Sequence, residues 1–150
     1  RNRRSFAVYT VSLPRFDALE LHDMMADHDT ELVILAGRLS NAVRKSDTVI
    51  RMGKGQFVLI VESIQNPLEL LAVSQKLLSA IGLDGQPAPW GQDQYQNMLG
   101  LAVFPNDGDD CAALTAVARR TICDRRTLKA NLSKMNSYEW GEFWASNDNW

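Results

Sequence analysis

Four segments of the chain carry the apolar pattern of β-strands. Residues 6–13 are β-branched and aromatic, residues 98–104 stop at a proline, and residues 57–61 are an unbroken apolar run. An unbroken run of this kind predicts a strand that is covered on both faces of its sheet. Residues 48–52 predict the remaining strand, which a short glycine turn separates from residues 57–61.

Apolar residues recur at helical spacing between and after these strands. Leu32, Leu35 and Leu39 form one stripe of a predicted helix, and residues 66–69 (Asn-Pro-Leu-Glu) have the composition of a helix start. One of the two aspartates at 109–110 is expected to cap the last helix. The predicted helices span 16–25, 29–44, 66–81 and 109–128.

The order of the predicted elements is strand, two helices, strand, strand, helix, strand and helix. Without the extra helix this is the βαββαβ arrangement of ferredoxin-like folds, in which helices flank a central antiparallel sheet. We therefore predict an α+β fold. Residues 1–5 are a linker or chain edge, residues 6–130 form the domain, and residues 131–150 are an aromatic tail that packs on the domain or binds a partner.

Composition narrows the range of functions. Sixteen Lys and Arg against eighteen Asp and Glu give a net charge of −2, which argues against a general nucleic-acid binder. No apolar run approaches the roughly 20 residues of a membrane helix, and no secretory signal is recognisable, so we expect no membrane insertion of this segment. The expected location is the cytoplasm, including the cytoplasmic part of a larger protein, because two isolated cysteines fit a reducing compartment.

Cysteine and histidine give no sign of a disulfide or a metal site. Cys111 and Cys123 fall on the predicted last helix, where a rise of about 1.5 Å per residue separates them by about 18 Å, beyond disulfide reach. His22 and His28 have no cluster of Cys or acidic residues around them. The sequence therefore predicts two free thiols and no metal site.

Three short motifs lie at the ends of the predicted elements. Residues 44–47 (Arg-Lys-Ser-Asp) follow a helix, residues 53–57 form the glycine turn, and residues 99–108 end in Pro-Asn-Asp-Gly. At these places the chain resembles the GGDEF family of diguanylate cyclase domains, which join two GTP molecules into cyclic di-GMP. The resemblance implies a nucleotide-cyclase-like fold over nearly the whole chain and a role in bacterial signalling.

The signature turn departs from the pattern of that family, which reads Gly-Gly-Asp/Glu-Glu-Phe. Its counterpart here is Gly53-Lys54-Gly55-Gln56-Phe57. The family's metal-binding carboxylates come from the first strand and from the third residue of the turn, and these positions hold Ser12 and Gly55. Mg²⁺ prefers anionic oxygen ligands, which neither residue supplies. The resemblance therefore implies a degenerate cyclase domain in which no Mg²⁺ is expected.

The other residues of the glycine turn can be explained by structure alone. Gly53 and Gly55 suit a tight hairpin that requires positive φ, and Lys54 at the tip of such a turn is expected to be solvated. Asp29 matches a guanine-contacting residue of the family, so the resemblance implies at most a vestigial guanine contact there.

Arg44 and Asp47 match the product-binding inhibitory motif of the family, Arg-x-x-Asp. A guanidinium can donate two hydrogen bonds to O6 and N7 of guanine, and a carboxylate can accept from its N–H groups. The resemblance implies a further basic group from the next helix, for which Lys76 is the candidate. The alternative is a solvent-exposed ion pair worth at most about 1 kcal/mol.

Three functions remain open on this basis. The favoured one is a catalytically inactive domain that binds cyclic di-GMP through Arg44, Asp47 and Lys76 and regulates a neighbouring domain or protein. The second is a structural module that dimerises or docks a partner without binding nucleotide. The third is a GTP sensor or a residual diguanylate cyclase.

Overall fold

The computed structural model describes residues 5–12, 27–53, 55–64, 67–82, 98–121 and 123. The predictions made for 1–4, 16–25 and 131–150 lie outside these residues. The described elements are β1 (Ser5–Ser12), α1 (Asp27–Ala42), β2 (Thr48–Gly53), β3 (Gln56–Ile64), α2 (Pro67–Ala80), β4 (Met98–Phe104) and α3 (Cys111–Arg120).

The four strands form one antiparallel sheet in the order β2-β3-β1-β4. This is the strand order of a ferredoxin-like βαββαβ unit, so the predicted α+β fold with a central antiparallel sheet is confirmed. Among the described helices, α1 and α2 pack on one face of the sheet and α3 packs on the other. None of them combines the length and the apolar character needed to cross a membrane.

Each face of the sheet has its own buried cluster. Alternate side chains of a strand point to opposite faces, so a strand covered on both sides is apolar throughout, as the run at 57–61 predicts. The smaller cluster joins α3 to the sheet through Val8, Val58, Ala102, Leu114 and Ala118. The larger one joins α1 and α2 to the sheet and includes Ala7, Tyr9, Val11, Leu35, Leu39, Leu59, Leu70, Leu77 and Leu101.

A buried hydrogen bond fixes α2 against β1. The Tyr9 hydroxyl lies 2.5 Å from the Ser74 hydroxyl and donates to the carbonyl of Leu70 at 3.4 Å. Burial raises the pKa of Tyr9 well above its usual value, so the hydroxyl stays neutral at physiological pH. Because buried polar groups are costly without partners, this contact holds the first turns of α2 at one position on the sheet.

The last helix is shorter than its apolar pattern predicts. Asp110 caps α3 by accepting the Ala113 N–H at 2.8 Å, as expected, but the helix ends at Arg120 and the predicted extension to residue 128 is wrong. The Leu101 N–H donates to the carbonyl of Thr121, and the Cys123 N–H donates to the carbonyl of Leu99 on β4. The chain leaves the helix because the edge of β4 offers these backbone partners.

This early helix end also changes the positions of the two cysteines. Cys111 is exposed in the first turn of α3, whereas Cys123 lies beyond the helix and is buried in the larger cluster. The prediction that both share one helix is therefore wrong, although neither cysteine forms a disulfide, as predicted.

Candidate functional site

The Arg-x-x-Asp motif forms the corner between α1 and β2. The Asp47 N–H donates to the Arg44 carbonyl at 2.9 Å, and the Arg44 N–H donates to Asp47 Oδ2 at 2.9 Å. The helix ends at Ala42, two residues before the predicted end. The reason is that Arg44 gives its backbone N–H to the Asp47 carboxylate instead of continuing the helical ladder.

The Asp47 carboxylate is buried and holds two segments of backbone together. Its side chain is 0% exposed, and Oδ1 accepts the N–H of Glu62 at 2.9 Å while Oδ2 accepts the N–H of Arg44. Both carboxylate oxygens therefore have backbone donors. This arrangement differs from the predicted guanine clamp, in which Asp47 faces the ligand, and from the alternative of an exposed ion pair.

The segment of β3 that Asp47 holds is a β-bulge. Ser5 pairs with Ile64 and Ala7 pairs with Val61, which leaves one extra residue on β3, and Ser63 has φ of 56°. A left-handed conformation is uncommon for a residue with a side chain. The side chains of Arg44 and Asp47 form hydrogen bonds with the backbone of Glu62, next to Ser63. These bonds stabilise the irregular end of the strand.

The Arg44 guanidinium reaches three groups: Asp47 in the same corner, Glu62 on β3 and Glu69 on α2. Its Nε lies 3.5 Å from Asp47 Oδ2, its Nη2 donates to the carbonyl of Glu62, and its Nη1 lies 3.7 Å from Glu69 Oε1. The side chain is nevertheless 48% exposed. Arg44 is thus a cation held in place at the surface, where α1, β3 and α2 meet.

Lys76 is not joined to this corner by any contact among the described residues. Lys76 is exposed on α2, seven residues after Glu69, which at about 1.5 Å per residue is roughly 10 Å further along the helix. Asp29 lies in the first turn of α1, and its side chain is outside the described part of the chain. The proposed contribution of Lys76 to a ligand site remains a prediction.

The glycine turn lies beside the end of β1, as the resemblance implies. Ser12 pairs with Gln56 across the sheet, so the two positions at which the family has metal-binding carboxylates are close in space. They hold a hydroxyl and a glycine, and these residues do not fit a Mg²⁺ site. Within the described ranges, no three His, Cys, Asp or Glu residues form a group that could hold a metal ion.

The individual residues of this turn have structural roles. Gly55 has φ of 63°, a value that glycine adopts without strain, whereas Gly53 lies outside the positive-φ region, contrary to the prediction. Phe57 is 2% exposed in the larger buried cluster. Lys54 is outside the described residues.

The Pro-Asn-Asp-Gly motif also has a structural role. Asp107 accepts the Val103 N–H through Oδ2 at 2.8 Å and donates its own N–H to the carbonyl of Val103 at 2.8 Å. These two bonds close the turn between β4 and α3. The resemblance at this motif therefore reflects how the fold is built rather than a contact with a ligand.

Glu69 contacts the corner from α2, a role that the sequence does not predict. Its position after Asn-Pro-Leu identifies it as a first-turn acid of a helix, and that interpretation is correct for α2. Its contact with Arg44 depends on the packing of α2 beside the corner. The opposite charges of Arg44 and Glu69 are visible in the sequence, but their 25-residue separation gives no signal of proximity.

Comparison with known proteins gives consistent matches. The family profile "Diguanylate cyclase, GGDEF domain" matches residues 2–131. The chain is 31% identical over 112 residues to the bifunctional diguanylate cyclase/cyclic di-GMP phosphodiesterase MucR of Pseudomonas aeruginosa, covering 72% of this chain and 16% of MucR. It is 25% identical over 115 residues to the diguanylate cyclase TpbB of the same species, covering 75% of this chain and 26% of TpbB.

A solved structure supports the same relationship. The isolated GGDEF domain of TpbB from Pseudomonas aeruginosa matches with a TM-score of 0.60 and 26% identity, covering 78% of this chain and 68% of that domain. The chain thus spans 16% and 26% of the lengths of the two curated relatives, so it corresponds to one part of each.

Proposed function

Because this chain belongs to the GGDEF family of diguanylate cyclase domains, we propose that it binds cyclic di-GMP at Arg44 without synthesising it. The domain then acts as a receptor that regulates a neighbouring domain or a protein partner. A phosphodiesterase domain is one such neighbour, since the relative MucR combines the two activities.

The observation that carries this proposal is the state of Arg44. Its guanidinium is 48% exposed, yet contacts with Asp47 and the Glu62 carbonyl hold it in place. A cation held in this way loses less conformational freedom when a ligand binds. Cyclic di-GMP offers guanine edges and phosphates, and both are suited to a planar guanidinium. In this proposal Asp47 positions Arg44 and does not itself contact the ligand.

The residues beside the glycine turn support the absence of synthesis. Joining two GTP molecules is phosphoryl transfer, in which divalent metals neutralise charge on the phosphates. Ser12 and Gly55 supply no anionic oxygen at the positions where the family places its metal ligands. The chain therefore lacks the means to hold Mg²⁺ in the manner that the family requires.

We expect saturable binding of cyclic di-GMP in isothermal titration calorimetry, and a loss of about ten- to hundredfold in affinity for Arg44→Ala. That range corresponds to the roughly 1.5–3 kcal/mol of a charge-assisted hydrogen bond. Lys45→Ala is the matched control, because it removes the same charge from the neighbouring exposed residue. Equal affinities of the two variants would exclude Arg44 as the contact.

We expect no product when the domain is incubated with GTP and either Mg²⁺ or Mn²⁺ and the mixture is separated by chromatography. The physical reason is the absence of carboxylates at positions 12 and 55. An active GGDEF cyclase assayed in parallel provides the positive control. Formation of cyclic di-GMP by this chain at a rate above the blank would refute the inactive assignment.

The second candidate, a docking module without nucleotide binding, has one specific observation in its favour. Several large apolar side chains are exposed, with Val33 at 70% and Met52 at 53%. If wild-type protein shows no saturable heat with either cyclic di-GMP or GTP, this candidate is favoured instead. A homodimer, as one form of docking, is then tested by sedimentation.

A further inference from the structure

All three nitrogens of the Arg44 guanidinium face an acceptor oxygen of the protein, one in a hydrogen bond and two at ion-pair distance. Nε faces Asp47, Nη2 donates to the Glu62 carbonyl, and Nη1 faces Glu69. A ligand that binds an arginine in a two-pronged manner uses two adjacent N–H groups at one edge of the guanidinium. A guanidinium has five N–H groups, so two remain open, but a ligand that uses Nη1 meets the Glu69 carboxylate 3.7 Å from that atom.

The three acceptors differ in how readily they can leave. The Asp47 carboxylate is 0% exposed and bound by two backbone N–H groups, and the Glu62 carbonyl is part of the backbone of β3. Glu69 instead reaches Arg44 with a side chain that is 33% exposed, over 3.7 Å. A flexible, partly solvated side chain can rotate away while the backbone stays in place.

We infer that Glu69 is a built-in competitor of the ligand at Arg44 and sets the affinity of the site. The inference rests on the proposed function, that Arg44 binds cyclic di-GMP. A carboxylate and a phosphate are the same class of acceptor for a guanidinium, so Glu69 and the ligand compete for Nη1.

The position of Glu69 determines what its displacement affects. Glu62 precedes the connection between β3 and α2, and Glu69 follows it, so Arg44 contacts the chain on both sides of that connection. When the ligand replaces Glu69, the contact between Arg44 and the first turn of α2 is lost. The site thus has an unliganded arrangement closed by Glu69 and a liganded one in which the ligand takes its place.

The test is a cyclic di-GMP titration of wild type, Glu69→Gln and Glu62→Gln. Glu69→Gln is expected to tighten binding about two- to fivefold, the range expected for a partly exposed ion pair. Glu62→Gln removes an equal charge nearby, but its contact with Arg44 is through the backbone carbonyl, so its affinity should stay close to that of wild type. In the background of Arg44→Ala, Glu69→Gln should give no gain.

The outcomes separate this inference from the function on which it rests. Binding by wild type with no gain in Glu69→Gln overturns the competitor role and leaves the proposed function intact. An equal gain in Glu62→Gln also overturns it, because the effect is then one of general charge. Binding by Glu69→Gln alone supports the inference in its strongest form. If no protein binds, both the inference and the proposed function fail.

Discussion

Replacing Gly100 with alanine is expected to destabilise the domain by about 3 kcal/mol or more, a large share of the 5–15 kcal/mol typical of a whole domain. A Cβ at this position would lie 1.9 Å from the carbonyl oxygen of Ala118 and 2.5 Å from Thr10 Oγ1. The first of these atoms belongs to the backbone of α3, which cannot move aside as a side chain can. The added methyl group therefore forces α3 away from β4.

Urea unfolding followed by circular dichroism measures this effect, and Gly37→Ala is its matched control. Nothing lies within 4 Å of a Cβ built on Gly37, which is exposed in α1. Alanine there should raise stability by about 0.5–1 kcal/mol, because glycine is unfavourable within a helix. If both variants shift the unfolding midpoint by similar small amounts, the close approach of α3 to β4 is contradicted.

Replacing Asp47 with alanine is expected to cost about 2–3 kcal/mol of folding free energy. The change removes the acceptor for the N–H groups of Arg44 and Glu62, and unsatisfied donors of this kind cost about 1–3 kcal/mol each when water cannot reach them. The expected cost is smaller than the sum for two fully buried donors, because the corner is partly open to solvent. Asp47→Asn should cost less, because its one carbonyl oxygen still accepts from one of the two donors.

The measurement is again urea unfolding, with Asp109→Ala as the control. Asp109 is an exposed acid before α3, so its removal should change stability by less than about 0.5 kcal/mol. Equal stabilities of Asp47→Ala and Asp109→Ala would mean that the buried carboxylate contributes nothing to the corner. The result also affects the binding experiments, because a loss of ligand in Asp47→Ala then reflects a disordered corner and not a lost contact.

These expectations divide the motif residues by role. Gly100 and Asp107 belong to the segment that resembles the family, and their contacts are those of packing and turn closure. Asp47 belongs to the Arg-x-x-Asp motif, and its contacts are with the backbone. Arg44 combines a charged group with a side chain that is 48% exposed, and the proposed binding of cyclic di-GMP depends on it.

Much of the fold is predictable from local sequence. Apolar and β-branched runs identify the four described strands, and the cap at Asp110 and the proline at the first helical position, Pro67, identify the beginnings of two helices. These signals succeed because each depends on residues a few positions apart in the chain. The same reasoning fails for the end of α3, where the helical pattern continues but Thr121 and Cys123 form backbone hydrogen bonds with β4.

The sequence by itself therefore determined the order of strands and helices, the α+β class and the lack of carboxylates at positions 12 and 55. It also identified Arg44 and Asp47 as a pair. Only the tertiary structure decided that Asp47 is buried with both oxygens occupied and that Glu69 faces Arg44. The physical reason is that burial and contacts between distant residues depend on how α2 and the bulge in β3 pack around the corner. The local sequence does not indicate that packing.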